Sequence, residues 1–223
     1  MRNRACSFIC LIGLVAVLAA VALRAFAGDG APPRQFALED LVAVGALLEQ
    51  RIGREAPEVK QLREATDLLI AIHGSAVGDR YEAIRRLGDS GRPDLVALCF
   101  VRAESTVAEP MERDGVQWRC VEALGKSRDA RAVAYCVYVL EEKPYWIRTL
   151  DSEIVTARVL IRRAARSAIV SLLADEGDRS NLLADGEAGT PKVVSIAKAR
   201  LAANSSLQAG FGGAASPPAL KKE

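Results

Sequence analysis

The 223-residue sequence has few aromatic residues, almost no histidine and no excess of either charge. Aromatic residues make up 5% of the chain while 50% of it is hydrophobic, which excludes wholesale disorder and favours helices packed through aliphatic side chains. A formal net charge of +2 argues against a dedicated nucleic-acid-binding protein. The single histidine, His73, leaves little room for acid–base catalysis or for a histidine-based metal site.

Sequence signatures of catalytic and cofactor sites are also missing. Gly125-Lys126-Ser127 resembles the end of a phosphate-binding loop, but Cys120 stands where that loop needs its first glycine, and a helix rather than a strand is expected before it. The sequence has no Gly-x-Ser-x-Gly motif, no cysteine pair with zinc-finger spacing and no calcium-binding loop. We therefore predict no catalytic residue, no metal, no cofactor and no enzymatic activity.

Three cysteines lie beyond the N-terminal segment, each among aliphatic residues in a helical pattern. They are Cys99, Cys120 and Cys136. This setting is typical of buried thiols that act as small hydrophobic side chains. One disulfide among them, formed in an oxidising compartment, is the alternative.

The N-terminus has the three-part layout of a secretory signal peptide. A short basic stretch, Met1–Ser7, precedes an uncharged apolar run, Phe8–Leu23, and Ala25-Phe26-Ala27 offers a small-x-small cleavage site. The apolar run is shorter than the roughly 20 residues that span a bilayer. The pattern predicts cleavage after Ala27 and export to the periplasm or the extracellular space. If the segment is not cleaved, residues 8–23 would anchor the protein in a membrane.

The remaining chain divides into a linker, a helical domain and a tail. Residues 28–35 contain two prolines and are expected to form the linker, and residues 36–203 are expected to be helical. Pro57 suits the first turn of one helix, and Thr190 is expected to cap the last one, which Pro191 begins. Residues 204–223 are rich in serine, glycine, alanine and proline and are expected to form a flexible, disordered tail.

The centre of the chain repeats itself with a period of 37 residues. Residues 81–101 placed on residues 118–138 give six identical pairs in 21, whereas chance predicts roughly one or two. The pairs are Leu87/Leu124, Gly88/Gly125, Ser90/Ser127, Val96/Val133, Ala97/Ala134 and Cys99/Cys136. Each unit has an amphipathic helix, a Leu-Gly pair expected to end it, a polar turn and a second apolar helix. Such a period of paired helices is typical of an α-solenoid.

The segments Tyr81–Gly88 and Trp118–Gly125 resemble the first helix of HEAT repeats, and more narrowly the short bacterial HEAT-like type first described in phycobilisome lyases. Residues 161–168 resemble the same helix in a third unit. The resemblance implies an all-α solenoid of antiparallel helix pairs without a sheet, with units near 79–104, 114–142 and 151–185. Val170 replaces the glycine of the third unit, so its helix, 151–173, is expected to continue to Leu173.

Two neighbouring features have the composition of a binding surface. One is a row of arginines spaced by four residues on the third-unit helix: Arg158, Arg162 and Arg166. The other is an insertion before that helix, residues 141–150, whose large side chains are of the types that interface hot spots favour: Tyr145, Trp146 and Arg148. We predict that these six residues contact a partner. The alternatives are an arginine flank paired within the protein and loop aromatics folded onto a neighbouring helix.

The sequence thus predicts an exported, non-catalytic helical-repeat module that mediates protein–protein interaction or scaffolding. Its expected partner is an unidentified protein, which the arginine row allows to be acidic. No nucleic acid is expected, and a membrane only if the N-terminal segment is uncleaved. The alternative is an accessory protein, such as a lyase-like helper that acts on a cofactor-bearing protein. The first reading is favoured because no nucleophile, base and orienting group can be assembled from the sequence.

Overall fold

The computed structural model describes residues 38–74, 76–143, 147–150, 152–155, 157–173, 182 and 185–219. The expected signal segment, its cleavage site and the linker lie outside these residues, as do Tyr145 and Trp146. No helix within the described ranges is long and apolar enough to cross a membrane.

The described chain is helical except for one short hairpin. The α-helices are α1 (Leu38–Ile52), α2 (Pro57–His73), α3 (Val77–Asp89), α4 (Pro93–Thr106), α5 (Pro110–Lys126), α6 (Val133–Glu142), α7 (Ala157–Leu173), α8 (Thr190–Ala203) and α9 (Ser205–Gln208). Three 3-10 turns occur at Ala130–Ala132, Gly186–Gly189 and Gly213–Ala215. The hairpin strands are β1 (Ile147–Leu150) and β2 (Ser152–Val155). The prediction of a helical protein is confirmed for the described residues.

Local sequence explains where the helices begin. Prolines occupy the first turn of four of them, where a missing N–H costs no hydrogen bond: Pro57, Pro93, Pro110 and Pro191. The carboxylate of Glu109 accepts a hydrogen bond from the N–H of Glu112 at the start of α5. Thr190, expected as the cap of α8, is instead its first helical residue, and Gly189 stands at the cap position.

The core forms where successive helices pack side by side. The helices α3, α5 and α7, which the sequence analysis predicts to be the first helices of the three units, are neighbours, with α5 contacting both of the others. On the other side α2 contacts α4, and α6 contacts α8. Leu87 and Leu124 are 1% and 0% exposed at matching positions of α3 and α5, as the repeat alignment predicts.

The Leu-Gly pairs bring helices close together and do not end them. Gly88 and Gly125 lie inside α3 and α5, whose caps are Ser90 and Ser127, so the expected stop at glycine is wrong. A Cβ on Gly88 would lie 3.1 Å from the Cβ of Ala123 on α5. A Cβ on Gly125 would lie 2.8 Å from the Cβ of Ala168 on α7. Glycine is needed here because the next helix occupies the space of a side chain.

Replacing Gly125 by alanine will therefore destabilise the protein, although the same change inside a helix ordinarily stabilises it by about 0.5–1 kcal/mol. We expect a net loss of about 1 kcal/mol or more, because the new methyl group meets both Cβ and Cα of Ala168. Gly78→Ala is the matched control, since no atom lies within 4 Å of a Cβ at that position of α3. Urea unfolding will report opposite signs for the two variants. Equal stabilisation by both would refute the close approach.

The hairpin corrects the expectation of a protein without a sheet. β1 and β2 pair antiparallel, with Ile147 opposite Val155 and Leu150 opposite Ser152. Ile154, expected on the apolar stripe of a helix spanning 151–173, lies in β2, and α7 begins only at Ala157. The β-branched residues of this stretch favour extended backbone, which explains why the helix starts late.

Residues 204–219 were expected to be a flexible tail, and they are instead folded against the helical domain. The segment forms α9 and the 3-10 turn Gly213–Ala215, which contacts α4. Leu207 and Phe211 pack against the hydrophobic core, and Ala215 is buried. Composition alone favours flexibility, but the contacts of Leu207 and Phe211 with the core are enough to hold this segment against the helical domain.

Candidate functional site

The arginine row on α7 makes its contacts inside the protein. The side chain of Arg162 is 12% exposed, and its Nη1 donates to the carbonyl oxygens of Leu140 at 2.5 Å and Lys143 at 2.8 Å. Arg166 is 7% exposed and donates to the carbonyl oxygen of Leu182 at 3.2 Å. Carbonyls at the end of α6 lack partners within their helix, and Arg162 supplies one. These contacts leave little of either guanidinium group for an external partner.

The other predicted contact residues fall at the edge of the described structure. Tyr145 and Trp146 lie outside it, and the described part of Arg148 is its backbone in β1, opposite Ile154. Arg158, the first arginine of the row, is 28% exposed and pairs with Asp114 of α5, its Nε lying 2.7 Å from Oδ2. The structure thus joins the row to a residue that the sequence analysis did not single out.

Asp114 holds both ends of the insertion between α6 and α7. Its side chain is 3% exposed, and Oδ1 lies 3.5 Å from Nζ of Lys143 while Oδ2 accepts from Arg158. Lys143 is the last described residue before the hairpin, and Arg158 comes just after α7 begins. One buried carboxylate on α5 therefore fixes the two stems of the hairpin. We refer to Asp114, Lys143 and Arg158 as the Asp114 clamp.

Glu104, at the end of α4, extends the clamp into a larger network. Its Oε1 lies 2.9 Å from Nζ of Lys143 and accepts hydrogen bonds from Gln117 Nε2 at 2.8 Å and from the Tyr138 hydroxyl at 3.1 Å. The network joins helices α4, α5, α6 and α7 through side chains of opposite charge. Since each carboxylate has cationic partners, the arrangement is suited to holding helices in register.

The network changes the acidity of two of its members. Burial acts to raise the pKa of Glu104, but hydrogen bonds from Gln117 and Lys143 outweigh it and hold the pKa below its ordinary value. Burial, together with the negative charge of Glu104, raises the pKa of Tyr138 to about 12. At neutral pH Glu104 is therefore a carboxylate and Tyr138 a neutral hydrogen-bond donor.

The lowered pKa of Glu104 predicts a loss of stability in acid. A carboxylate whose pKa is lower in the folded state contributes stability that is complete above its unfolded value, near 4.5, and is lost as the pH falls through the folded value. Glu104→Gln will flatten this part of the pH dependence of the free energy of unfolding. Denaturant unfolding from neutral to acid pH measures it, with Glu39→Gln on the exposed side of α1 as the control. The prediction would be contradicted if the free energy of unfolding fell equally with decreasing pH in the wild type and in Glu104→Gln.

The positions of the three thiols and of the histidine agree with the non-catalytic roles that the sequence predicts for them. Cys99, Cys120 and Cys136 are free and buried, which confirms the hydrophobic reading of these residues. Burial raises the pKa of Cys136 to about 12, and burial together with the hydrogen bond that the Cys120 thiol donates to Cys99 raises the pKa of Cys120. Such thiols are neutral and shielded at physiological pH, the opposite of activated nucleophiles. His73 is exposed at the end of α2.

An aromatic and arginine cluster lies on the exposed side of α3 and α5. The rings of Tyr81 and Trp118 meet edge to face with centroids 6.4 Å apart. The guanidinium carbon of Arg119 lies 4.0 Å from the Trp118 ring centroid and 5.0 Å from that of Tyr81. Gly115 makes room for this arrangement, because a Cβ there would lie 2.3 Å from the Tyr81 hydroxyl.

This cluster borders a cleft of about 540 Å³ between α3 and α5, which we call the outer cleft; Tyr81, Gly88, Arg119 and Ala123 are among its lining residues. A second cleft of about 370 Å³ lies between α5 and α7, and Trp118 and Arg163 are among the residues that line it. Glu122 and Lys126 line both clefts and form the ridge between them. The three first helices thus present one grooved, half-apolar surface.

The sequence analysis missed this surface, although a signal for it was present. Tyr81 and Trp118 are separated by the 37-residue period, so two consecutive units carry a large aromatic residue at the same position. Both side chains are half-buried. An aromatic residue that recurs at one position of a repeat and keeps part of its ring exposed is a candidate contact residue.

Comparison with known proteins identifies no relative. No protein family, curated protein or solved structure matches the chain. No group of three or more histidine, cysteine, aspartate or glutamate side chains that could hold a metal ion occurs in the described part of the chain.

Proposed function

We propose that the chain is an exported, non-catalytic helical-repeat module of the HEAT-like type that binds a protein partner through its first helices. The observation that carries the proposal is the outer cleft, beside which Tyr81 and Trp118 meet edge to face and Arg119 lies over both rings. Tryptophan, tyrosine and arginine are the residues that contribute most to protein interfaces. Stacked helices also hold them in place before binding, which lowers the entropic cost of association.

The same kind of glycine–alanine contact occurs at two successive helix interfaces, which supports the HEAT-like interpretation. Gly88 meets Ala123 across the first interface, and Gly125 meets Ala168 across the second. The two glycines are related by the 37-residue period, and each faces an alanine of the next first helix. Two successive interfaces built from the same residue types are what a short solenoid requires, because each unit then repeats the geometry of the one before it.

The charge at the second cleft favours an acidic partner. Glu122 is already paired with Arg119 at 2.8 Å. Lys126 and Arg163 are exposed at the second cleft, where they add positive charge beside the apolar surface of Trp118. A partner that offers carboxylates flanking an apolar side chain would complement both the charge and the shape of this surface.

Export is part of the proposal and rests on the N-terminal sequence. The basic stretch, the apolar run and the Ala25-Phe26-Ala27 site direct the chain out of the cytoplasm and predict a mature protein that begins at Gly28. N-terminal sequencing of the protein from its native source tests this. If sequencing returns an intact Met1, the signal is not cleaved, and the protein is instead anchored in a membrane by residues 8–23.

Site-specific photo-crosslinking in the native host tests the binding surface. A photo-reactive amino acid placed at Lys126 should give a discrete adduct with another protein, and the adduct should disappear when Trp118→Ala or Arg163→Glu is added. The same amino acid placed at Lys192, exposed on α8, is the control and should give no such adduct. Circular dichroism shows whether each variant keeps its helices. The absence of an adduct at Lys126, or equal adducts at both positions, would refute the proposed surface.

A further inference from the structure

The C-terminal segment crosses the surface formed by α4 and α6, on helices other than those that line the outer cleft. Residues 205–219 contain only α9, a single 3-10 turn and irregular backbone, and residues 204–219 carry no charged side chain. The 3-10 turn at Gly213–Ala215 lies against α4, and α9 contacts α6. Like a bound peptide, the segment therefore has little regular structure of its own and is held by a few contacts.

Phe211 is the aromatic anchor of this segment. Its ring centroid lies 5.9 Å from that of Tyr135, with the planes tilted by 33°. The guanidinium carbon of Arg131 lies 4.5 Å from the Phe211 ring centroid. Tyr135 in turn meets Phe100 edge to face at 5.8 Å. An aromatic platform and an arginine thus bracket one phenylalanine, which is how interface hot spots are commonly built.

The backbone of the segment supplies the hydrogen bonds of the Tyr135 hydroxyl. Tyr135 is 0% exposed, and its hydroxyl donates to the carbonyl oxygen of Ala215. The N–H of Phe211 donates back to the same hydroxyl at 3.2 Å. A buried hydroxyl needs such partners, and here the backbone of the turns at residues 209–215 provides both. The site therefore recognises main chain as well as the aromatic side chain.

Gly210 adds a requirement on the sequence that binds. Its φ is +58°, a conformation that favours glycine, and a Cβ would lie 2.7 Å from the Tyr135 hydroxyl and 2.9 Å from Cδ of Pro217. Only glycine fits immediately before the aromatic anchor. The recognised element is thus a glycine followed by an aromatic residue. It lies in a segment of small residues whose backbone approaches the Tyr135 ring closely.

We propose that Phe100, Arg131 and Tyr135 form a peptide-binding site that the protein's own segment 204–219 occupies, and that this site accepts a glycine–aromatic segment from another chain when its own segment leaves. Since the segment is uncharged and depends on one ring and a few backbone contacts, a segment of the same composition can reproduce its interactions. The tethered copy competes at a high effective concentration, so the site is closed in the isolated protein. This inference goes beyond the proposed function because it concerns a different surface.

A labelled peptide of residues 204–219 tests the proposal against the full chain and three full-length variants. Gly210→Val and Phe211→Ala should unseat the segment and open the site, so both should bind the peptide at least about tenfold more tightly than wild type does. Ala214→Val is the matched control, since Ala214 is exposed within the segment, and it should behave as wild type. A peptide that itself carries Gly210→Val should bind none of the four proteins. Fluorescence anisotropy measures binding, and cleavage within residues 205–219 by proteinase K, a protease of broad specificity, reports release.

Three other outcomes count against the site. If the two variants stay helical and release the segment but do not bind the peptide, the surface does not recognise it in trans. If they unfold, the segment is a fixed part of the core. If the segment stays protected from proteinase K in both variants, Gly210 and Phe211 are not its anchors. Wild-type dimers that form at high concentration and vanish in Phe211→Ala would support the proposal and identify a second copy of the chain as one occupant.

Discussion

Replacing Asp114 by asparagine will lower the free energy of unfolding by about 3 kcal/mol. Asparagine keeps the size of the side chain but removes the charge that faces Lys143 and Arg158. Lys143 is itself only 9% exposed, so its ammonium group would remain buried with Glu104 as its one carboxylate partner. Removing one member of a buried ion pair costs far more than breaking a pair on the surface, because the remaining charge is poorly solvated.

Asp89→Asn is the matched control for this change. Asp89 also pairs with an arginine, Arg85 at 2.6 Å, but the two side chains are 61% and 59% exposed, so water replaces the lost contact. Urea unfolding of both variants at neutral pH will separate the two effects. Equal losses would mean that the Asp114 clamp contributes no more than a surface pair. The Asp114 variant should also expose the insertion to proteolysis before the helices unfold, since both of its stems are released together.

The second large effect is expected at Leu124. Leu124→Ala removes three carbon atoms from a side chain that is 0% exposed between α5 and its neighbours, and we expect a loss of about 2–5 kcal/mol. Leu87→Ala should cost a similar amount, because Leu87 occupies the matching position of the preceding unit. Leu47→Ala, at a position 59% exposed on α1, provides the control. A loss at Leu124 of less than about 0.5 kcal/mol in urea unfolding would mean that the repeat register is wrong.

The repeat and the helices could be predicted because their signals are local or periodic. Pro57 and Pro191 mark where α2 and α8 begin, and the 37-residue match predicts that Leu87 and Leu124 are buried alike, as they are. Both signals depend on spacing along the chain. Spacing is preserved whatever the three-dimensional arrangement of the units.

The misjudged features depend on which elements meet in space. Glycine after leucine is compatible with a helix stop and with a close helix contact, and only the position of Ala168 decides between them at Gly125. The four-residue spacing of Arg162 and Arg166 shows that they share a flank, but not that the flank faces the carbonyls of Leu140 and Leu182.

The same limit explains the C-terminal segment. Its composition predicts flexibility, and its two anchors, Gly210 and Phe211, acquire their roles only beside Tyr135, far away along the chain. The outer cleft depends likewise on Gly115 leaving space for Tyr81 of the preceding unit. In each case the deciding contact lies between residues of different elements, which no pattern within one element encodes.

The Asp114 clamp makes the hairpin a natural graft point. Because Lys143 and Arg158 are both tied to α5, the two stems are held in place whatever sequence joins them, and much of the entropy of closing that loop is already lost in the folded stack. Residues 147–155 can therefore be exchanged for another short hairpin or epitope without altering how α5 packs on α7. The helical stack then serves as a display scaffold whose acceptor site is defined by three side chains.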